Sequence, residues 1–289
     1  MSVKLFADSA CDLTLAEAKN LGITLLPLKV RIDGMEYLDG VSITLEEYYE
    51  KLAHGKKLPT TRPVSAVEFI DVLEALLQPG DEAVIVTIAG KLSTTVQNAV
   101  DAASRLDGNV WVVDSGSATI GEGILLRYAI RLRDRGLSGR QIAAELERAK
   151  HHIRLLVRME SLDYLKRGGH ISTLKAFTGT IMQLKPVVSM EDGEVRVLGN
   201  AKGPLQSDNL LAQFIHEAGG IDFSMPMMVA YAGPDDTLLR EYIDNSQELW
   251  KDQMDPLPVS AFHSTVCSHA GPGAIALAFF TNKYRLYHW

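Results

Sequence analysis

Three short stretches set hydroxyl or imidazole side chains beside glycine or proline. They are Thr60-Thr61-Arg62-Pro63-Val64-Ser65, Gly90-Lys91-Leu92-Ser93-Thr94-Thr95 and His269-Ala270-Gly271-Pro272-Gly273. Each reads as the entrance to a helix. The unpaired N–H groups of a first helical turn and the positive end of its dipole attract an anion. A Ser, Thr or His side chain at that point adds a hydrogen-bond donor. The pattern points to a carboxylate or another small anion. Each stretch also has a purely architectural reading. Ser65 serves as an N-cap, the Ser93 stretch reads equally as a capped strand-to-helix turn, and Pro272 suits the first turn of a helix over residues 274–280.

Other chemistries lack their residues. The sequence has no GxxxxGK[ST] phosphate loop, no GxSxG elbow and no GxGxxG after a strand. His151 and His152 are adjacent, so on a helix their side chains diverge, and His216 and His263 have no partners at metal-ligand spacing. No metal site and no cofactor are expected. Cys11 and Cys267 belong to no CxxC pattern and read as buried thiols.

Period and caps indicate the elements that hold these stretches. Val3–Ala7, Ile23–Ile32, Glu82–Ile88 and Val110–Val113 read as strands, with Pro27 pointing to a sheet edge. Capping boxes at Thr14/Glu17, Thr44/Glu47, Ser65/Glu68 and Ser138/Gln141 open helices. Strand–helix alternation implies a largely parallel sheet covered on both faces. The second half differs. Asp192-Gly193 between two apolar runs signals a hairpin, Gln206–Ala218 is amphipathic, and Thr237–Trp250 reads as one helix. The expected fold class is α/β in two domains. Residues 1–154 form a Rossmann-like parallel-sheet domain and residues 155–289 an α+β domain.

At 289 residues, 46% hydrophobic and 22% charged, the chain can bury a large core without staples. A net charge of −7 argues against nucleic-acid binding. The longest apolar runs fall far below the ~20 residues of a membrane span, and Asp8 interrupts any signal-like start. A cytoplasmic protein without stable membrane insertion is expected.

The order and spacing of several short motifs resemble those of the DegV family of bacterial fatty-acid-binding proteins. These are Asp8-Ser9 after the first strand, Asp33-Gly34 through Asp39, Lys91-Leu92-Ser93-Thr94-Thr95-Val96-Gln97 and Val113-Asp114-Ser115. Leu162 through Ile171 with its Arg167-Gly168-Gly169, Lys185-Pro186 and His269 through Gly273 complete the set. The resemblance covers essentially the whole chain. It implies a long-chain fatty acid in an apolar tunnel between two domains, its carboxylate held by a threonine, a serine and a histidine. Carried over by motif, these are Thr61, Ser93 and His269, with Thr60 as the alternative threonine and Thr94 beside the head group. It further implies a binding subunit without catalytic machinery, presenting the acyl carboxylate to a separate ATP-dependent fatty acid kinase subunit.

The chain departs from the family pattern at three places. A glycine beside the head group is Thr94 here, an arginine beyond the hairpin falls at Lys202, and an arginine after Gly-Gly is His170. Lys202 and His170 are the positions expected to dock the kinase. Ile171, Leu174, Phe177, Ile181, Met182 and Leu184 are candidate tunnel residues, equally readable as plain core. Burying a sixteen-carbon chain gains on the order of 10 kcal/mol before ordering costs, at about 0.8 kcal/mol per CH₂. Two other readings stay open: an enzyme for a small anionic substrate, with His269 as acid/base and Ser93 as nucleophile, and a lipid-sensing regulator.

Overall fold

A computed structural model describes residues 2–55, 57–106, 109–171, 184–250 and 256–282. The chain begins with β1 (Val3–Asp8), and Asp8 caps a 3-10 turn by accepting from the Ala10 N–H at 2.9 Å. Helix α1 (Leu15–Leu21) follows its capping box. The run Ile23–Ile32, expected as one strand, is two: β2 (Ile23–Leu26) and β3 (Lys29–Ile32), which lie in different sheets. Pro27 supplies no N–H and fixes its φ, so the run can change direction there. Then come β4 (Met35–Leu38), α2 (Leu45–His54), β5 (Thr60–Arg62), α3 (Ala66–Leu76) and β6 (Glu82–Thr87). The elements α4 (Thr95–Ala103), β7 (Val110–Asp114), α5 (Thr119–Asp134) and α6 (Gly139–Ala149) complete this half.

The second half contains β8 (Ile153–Arg158), α7 (Asp163–Arg167), β9 (Leu184–Glu191), β10 (Glu194–Lys202) and α8 (Gly203–Glu217). It ends with β11 (Met228–Tyr231), α9 (Thr237–Asn245), α10 (Gln247–Trp250), β12 (Val259–Ala261), α11 (Ser264–Ala270) and β13 (Ile275–Phe280). The helix expected over Thr237–Trp250 is interrupted at Ser246, whose hydroxyl donates to the Tyr242 carbonyl at 2.5 Å and turns the chain. The segment after Pro272, expected as helix, is β13. It pairs with β8 on one side and β11 on the other, and all six residues are buried. A short, wholly apolar run has no period to separate a buried strand from a helix.

Strands β2-β1-β6-β7 form a parallel sheet, β10-β9-β8-β13-β11-β12 a mixed sheet and β4-β3-β5 a small antiparallel one. Helix α5 contacts strands of both large sheets, and twelve of its sixteen residues are buried. Close approach requires glycine at position 123, where a Cβ would lie 2.8 Å from the Cys11 carbonyl oxygen. Leu5, Val84 and Val113 of the parallel sheet share one apolar cluster with Leu155, Ala276 and Phe280 of the mixed sheet. Residues 154 and 155, between which the sequence reading divides the chain, are consecutive residues of β8. Among the described residues no helix is long and apolar enough to cross a membrane.

Helix α5 also carries Glu122 into the interior, where neither carboxyl oxygen has a hydrogen-bond partner among the described residues. Burial holds this carboxyl well above the usual range, and Asp8, Asp12 and Asp114 add repulsion. Asp8 is itself pushed up to about 7, chiefly by burial. An acid whose folded pKa is raised favours folding while protonated, and that contribution fades as pH rises above its unfolded value. Stability is therefore expected to decline from about pH 5 to about pH 8, the span above an ordinary Glu pKa. Glu122→Gln keeps the shape without the charge and should flatten the decline, leaving the part due to Asp8 and to Asp12, whose carboxyl burial also raises. Urea unfolding at both pH values checks this; equal declines in the two proteins would remove Glu122 as a cause.

Candidate functional site

A cavity of about 250 Å³ lies between the sheets. Its floor is one face of the mixed sheet, where Leu155, Val157 and Met159 alternate along β8 and its extension beside Val188 and Met190 of β9. Ile88 and Ala118, beyond the carboxyl ends of β6 and β7, and Phe262 and Val266 near α11 close over it. A crevice outside the carboxyl ends of parallel strands is where ligands enter open α/β sheets.

The hydroxyl and imidazole residues gather at this cavity. Thr61 sits on β5 opposite Val30 of β3. Its Oγ1 lies 2.8 Å from Nε2 of His269 on α11, across 208 residues of sequence. Ser93 follows β6 in a loop tied down by two bonds: the Ala89 N–H donates to the Ser117 carbonyl at 2.8 Å, and the Gly90 N–H to Asp114 Oδ2 at 3.1 Å. Gly90 has to be glycine, since a Cβ would lie 2.9 Å from both Asp114 Oδ2 and Val96. Ser93 Oγ accepts from the Thr95 N–H at 3.2 Å and lies 2.8 Å from Thr95 Oγ1. Its own proton is therefore free for Thr95 or for a ligand. Thr94 lines the cavity at the N-terminus of α4 and makes no side-chain cap bond. Thr60, the neighbour of Thr61 on the strand, is exposed and lines only an outer cavity. Successive strand residues face opposite sides, so only one of the two threonines can reach His269.

His269 does not open a helix as its glycine-framed turn suggested. It ends α11, and Gly271 after it has φ +75° and stands where a Cβ would come within 2.5 Å of the Tyr164 ring. The N-termini of α4, at Thr94, and of α5, at Ala118 and Thr119, both border the cavity. Burial, with His170 close by, lowers the His269 pKa to about 4. The imidazole is thus neutral at neutral pH. Its Nδ1 is buried without a hydrogen-bond partner among the described residues. With the proton on Nε2, the ring donates to Thr61 and leaves the Thr61 hydroxyl proton to point elsewhere.

His170 meets the His269 ring edge-on, with centroids 4.5 Å apart, and lines the cavity. Burial lowers its pKa as well. The expected docking residue is therefore part of the wall. Gly168 brings α7 up to this pair: a Cβ there would overlap His269 Nδ1 and stand 2.8 Å from the His170 ring. Gly168→Ala is expected to displace His269 and weaken carboxylate binding several-fold while the fold persists, as checked by a fatty-acid titration beside a thermal melt. Unchanged affinity would show that the imidazole position is unimportant.

Outside the histidines a second cavity of about 600 Å³ shares Thr61, Leu92, His170 and His269 with the first. Lys57 and Arg167 line it, and among the described residues no acidic one does. Lys202 lies elsewhere: it is exposed at the end of β10, paired with Leu184 of β9, and lines neither cavity. Leu184 is also absent from the cavity wall, while Ile171 packs on the main apolar cluster. Leu174, Phe177, Ile181 and Met182 lie outside the described residues.

Sequence reasoning missed two threonines on the cavity wall. Thr119 has φ +51°, costly for a β-branched residue, and its hydroxyl bonds the buried carboxylate of Asp12. Thr265 carries a buried Oγ1 without a hydrogen-bond partner among the described residues. Nothing local marks either one. Val157/Val188 and Leu155/Met190 could have been found from the alternation of the two floor strands.

Comparisons with known proteins bear on the fold and the family. A DegV family profile matches residues 2–282. A DegV domain-containing protein of Caldanaerobacter subterraneus subsp. tengcongensis is 36% identical over 223 residues, 77% of this chain and 79% of the relative. A fatty-acid-binding DegV family protein from Thermus thermophilus superposes with a TM-score of 0.87 at 30% identity, covering 97% of this chain and all of that one. The fatty acid kinase B3 protein of Streptococcus pneumoniae, solved loaded with linoleic acid, has the same fold: TM-score 0.83 at 21% identity, covering 98% and 100% of the two chains. With one profile running through the parallel sheet, the mixed sheet and the cavity between them, the chain belongs to the DegV family.

Proposed function

We propose that the protein holds one long-chain fatty acid, its acyl chain in the apolar cavity and its carboxylate at Thr61, Ser93 and His269. We further propose that it presents the carboxylate to a separate ATP-dependent kinase subunit that forms an acyl phosphate. The observation that carries this reading is a mainly apolar cavity whose wall also carries the short donor side chains of Thr61, Ser93 and His269. A carboxylate leaving water needs charge-assisted hydrogen bonds. The Ser93 hydroxyl, the Thr61 hydroxyl backed by His269, and the positive end of α4 are suited to supply them. The fatty acid in the Thermus relative and the linoleic acid in the pneumococcal kinase protein support the ligand class; the latter also supports the kinase. In this reading the chain works as two units, meeting near residue 154, that enclose the acyl chain between them.

Lys57 and Arg167 surround the outer cavity, where an anionic head group enters and a phosphoryl donor would approach. Short side chains leave one carboxylate oxygen reachable from that side. The protein has no turnover of its own on this account. Extraction of the purified protein followed by mass spectrometry is expected to release a long-chain acid, one per chain by native mass spectrometry. Adding ATP-Mg²⁺ and the host's kinase subunit to the loaded protein is expected to give acyl phosphate. No acyl ligand, and none taken up on addition, would end the carrier reading; acyl phosphate formed without a partner would make this chain an enzyme. Lys202 stands at the same end of the mixed sheet as Glu160, which contacts Lys185. As a point charge in place of a forked arginine, it is expected to steer docking: Lys202→Ala should slow acyl phosphate formation modestly and leave lipid affinity unchanged. Equal rates would free Lys202 from that role.

A further inference from the structure

One face of α11 carries a polar group that the carboxylate site does not use. Thr265, Val266, His269 and Ala270 line the apolar cavity, and residues four apart lie on the same side of a helix. The Oγ1 of Thr265 is buried without a hydrogen-bond partner among the described residues. The other two hydroxyls of this helix are satisfied. Ser264 donates to Asp39, and Ser268 donates to the Ser264 carbonyl at 2.7 Å. Ser268 has a helix carbonyl four residues behind it. Thr265 has none, because α11 begins at Ser264 and the fourth residue back, Ala261, ends β12. A hydroxyl left unpaired in an apolar wall is costly until a ligand completes it.

A second hydroxyl belongs to the same region. Thr119 donates its proton to Asp12 Oδ2, so its oxygen keeps lone pairs for an incoming donor. Asp12 Oδ1 accepts from the His263 N–H at 2.8 Å, two residues before Thr265. One carboxyl group thus ties Thr119 to the start of α11. Both threonines line the inner cavity and neither lines the outer one. His269 lines both cavities and stands four residues, about 6 Å of helix, beyond Thr265. The two threonines therefore lie deeper than the carboxylate, beside the first part of an acyl chain.

We propose that the cavity accepts a long-chain acid bearing a hydroxyl group near its carboxyl end, recognised by Thr265 and Thr119; the proposal rests on the fatty-acid reading of the cavity. The ligand oxygen accepts from Thr265 Oγ1, and its own O–H donates to Thr119 Oγ1. A hydroxyl is both donor and acceptor, so it serves the two threonines at once, whereas a methylene serves neither. Elsewhere along the apolar wall a ligand hydroxyl leaves water without a partner, which weakens binding roughly ten- to hundredfold. Only the position that meets the threonines escapes this penalty.

The test titrates wild type, Thr265→Val and Thr265→Ser with palmitic acid and with palmitic acids hydroxylated singly at successive carbons, beside thermal melts of each protein. For the wild type, one hydroxyl position near the carboxyl end is expected to bind as tightly as palmitic acid or tighter, and the remaining positions roughly ten- to hundredfold more weakly. Thr265→Val keeps the shape without the hydroxyl. It should lose about tenfold at the favoured position and bind palmitic acid as tightly as wild type or severalfold tighter. Thr265→Ser should keep the preference. If Thr265→Val does not fold, the wild-type series alone decides. A penalty at every position, or a favoured position that Thr265→Val leaves intact, would overturn the hydroxyl site while leaving the fatty-acid site standing. Equal weakening of palmitic acid and the favoured hydroxy acid in Thr265→Val would also overturn it, by making Thr265 a carboxylate ligand. Failure of the wild type to bind any acid of the series would overturn both readings.

Discussion

Ser93→Ala and His269→Ala proteins are each expected to bind a long-chain fatty acid about ten- to hundredfold more weakly than wild type, the 1.5–3 kcal/mol range of a hydrogen bond to a charged group. Ser93 loses the one proton not committed to its own loop, because its oxygen already accepts from the Thr95 N–H. His269→Ala acts through Thr61, whose hydroxyl loses the partner 2.8 Å away that orients it. Both side chains border a cavity, so their removal leaves no compact core void and the melting temperature should barely change. Fluorescent fatty-acid displacement gives the affinities. A neutral imidazole donor works over a wide range, since burial and His170 hold the His269 pKa at about 4. Wild-type affinity should therefore stay nearly flat from about pH 6 to pH 8, where an ordinary histidine near 6.5 would titrate. Unaltered binding in both variants would remove these residues from the head group, and a steep loss through pH 6.5 would mean that a charged imidazole is needed.

Arg158→Ala is expected to cost about 3–5 kcal/mol, the range for removing one partner of a buried ion pair. Arg158 on β8 donates to Asp208 of α8 at 2.8 Å, with both side chains about 5% exposed. The second Asp208 oxygen accepts from Asn245 at 3.3 Å, too little to hold an uncompensated carboxylate in the interior. The melting temperature should fall by roughly 10 °C in a chain of this size. Replacing the pair together, Arg158→Met with Asp208→Leu, should recover most of the loss, because two apolar side chains need no partner. A drop equal to that of the single variant would show that packing, not the stranded charge, causes it. Since β8 also supplies the cavity floor, the single variant should lose bound lipid on heating well before the wild type.

Local chemistry was legible wherever one short segment decides. The four expected capping boxes are formed at Thr14, Thr44, Ser65 and Ser138, since each joins residues only three apart. The Asp192-Gly193 turn is formed with φ of +50° and +79°, the left-handed geometry that this dipeptide tolerates. The parallel strands were visible because a strand covered on both faces must be apolar throughout. The same rule made residues 274–280 ambiguous: with both faces buried, β13 has no polar positions to reveal its period.

The tertiary structure alone decided what depends on contacts far apart in the chain. Pro27 marked an irregularity, but only pairing sends Ile23–Leu26 to one sheet and Lys29–Ile32 to another. Which of Thr60 and Thr61 meets His269 follows from which face of β5 turns toward α11. The Thr61–His269 contact and the wall position of His170 arise from packing and strand register. By itself the sequence determined the parallel strands, the caps and the residue types able to meet a carboxylate, because those follow from backbone and side-chain chemistry over a few neighbours. Where these residues converge, and how much apolar space lies behind them, was decided by sheets that bring residues more than 200 positions apart into contact.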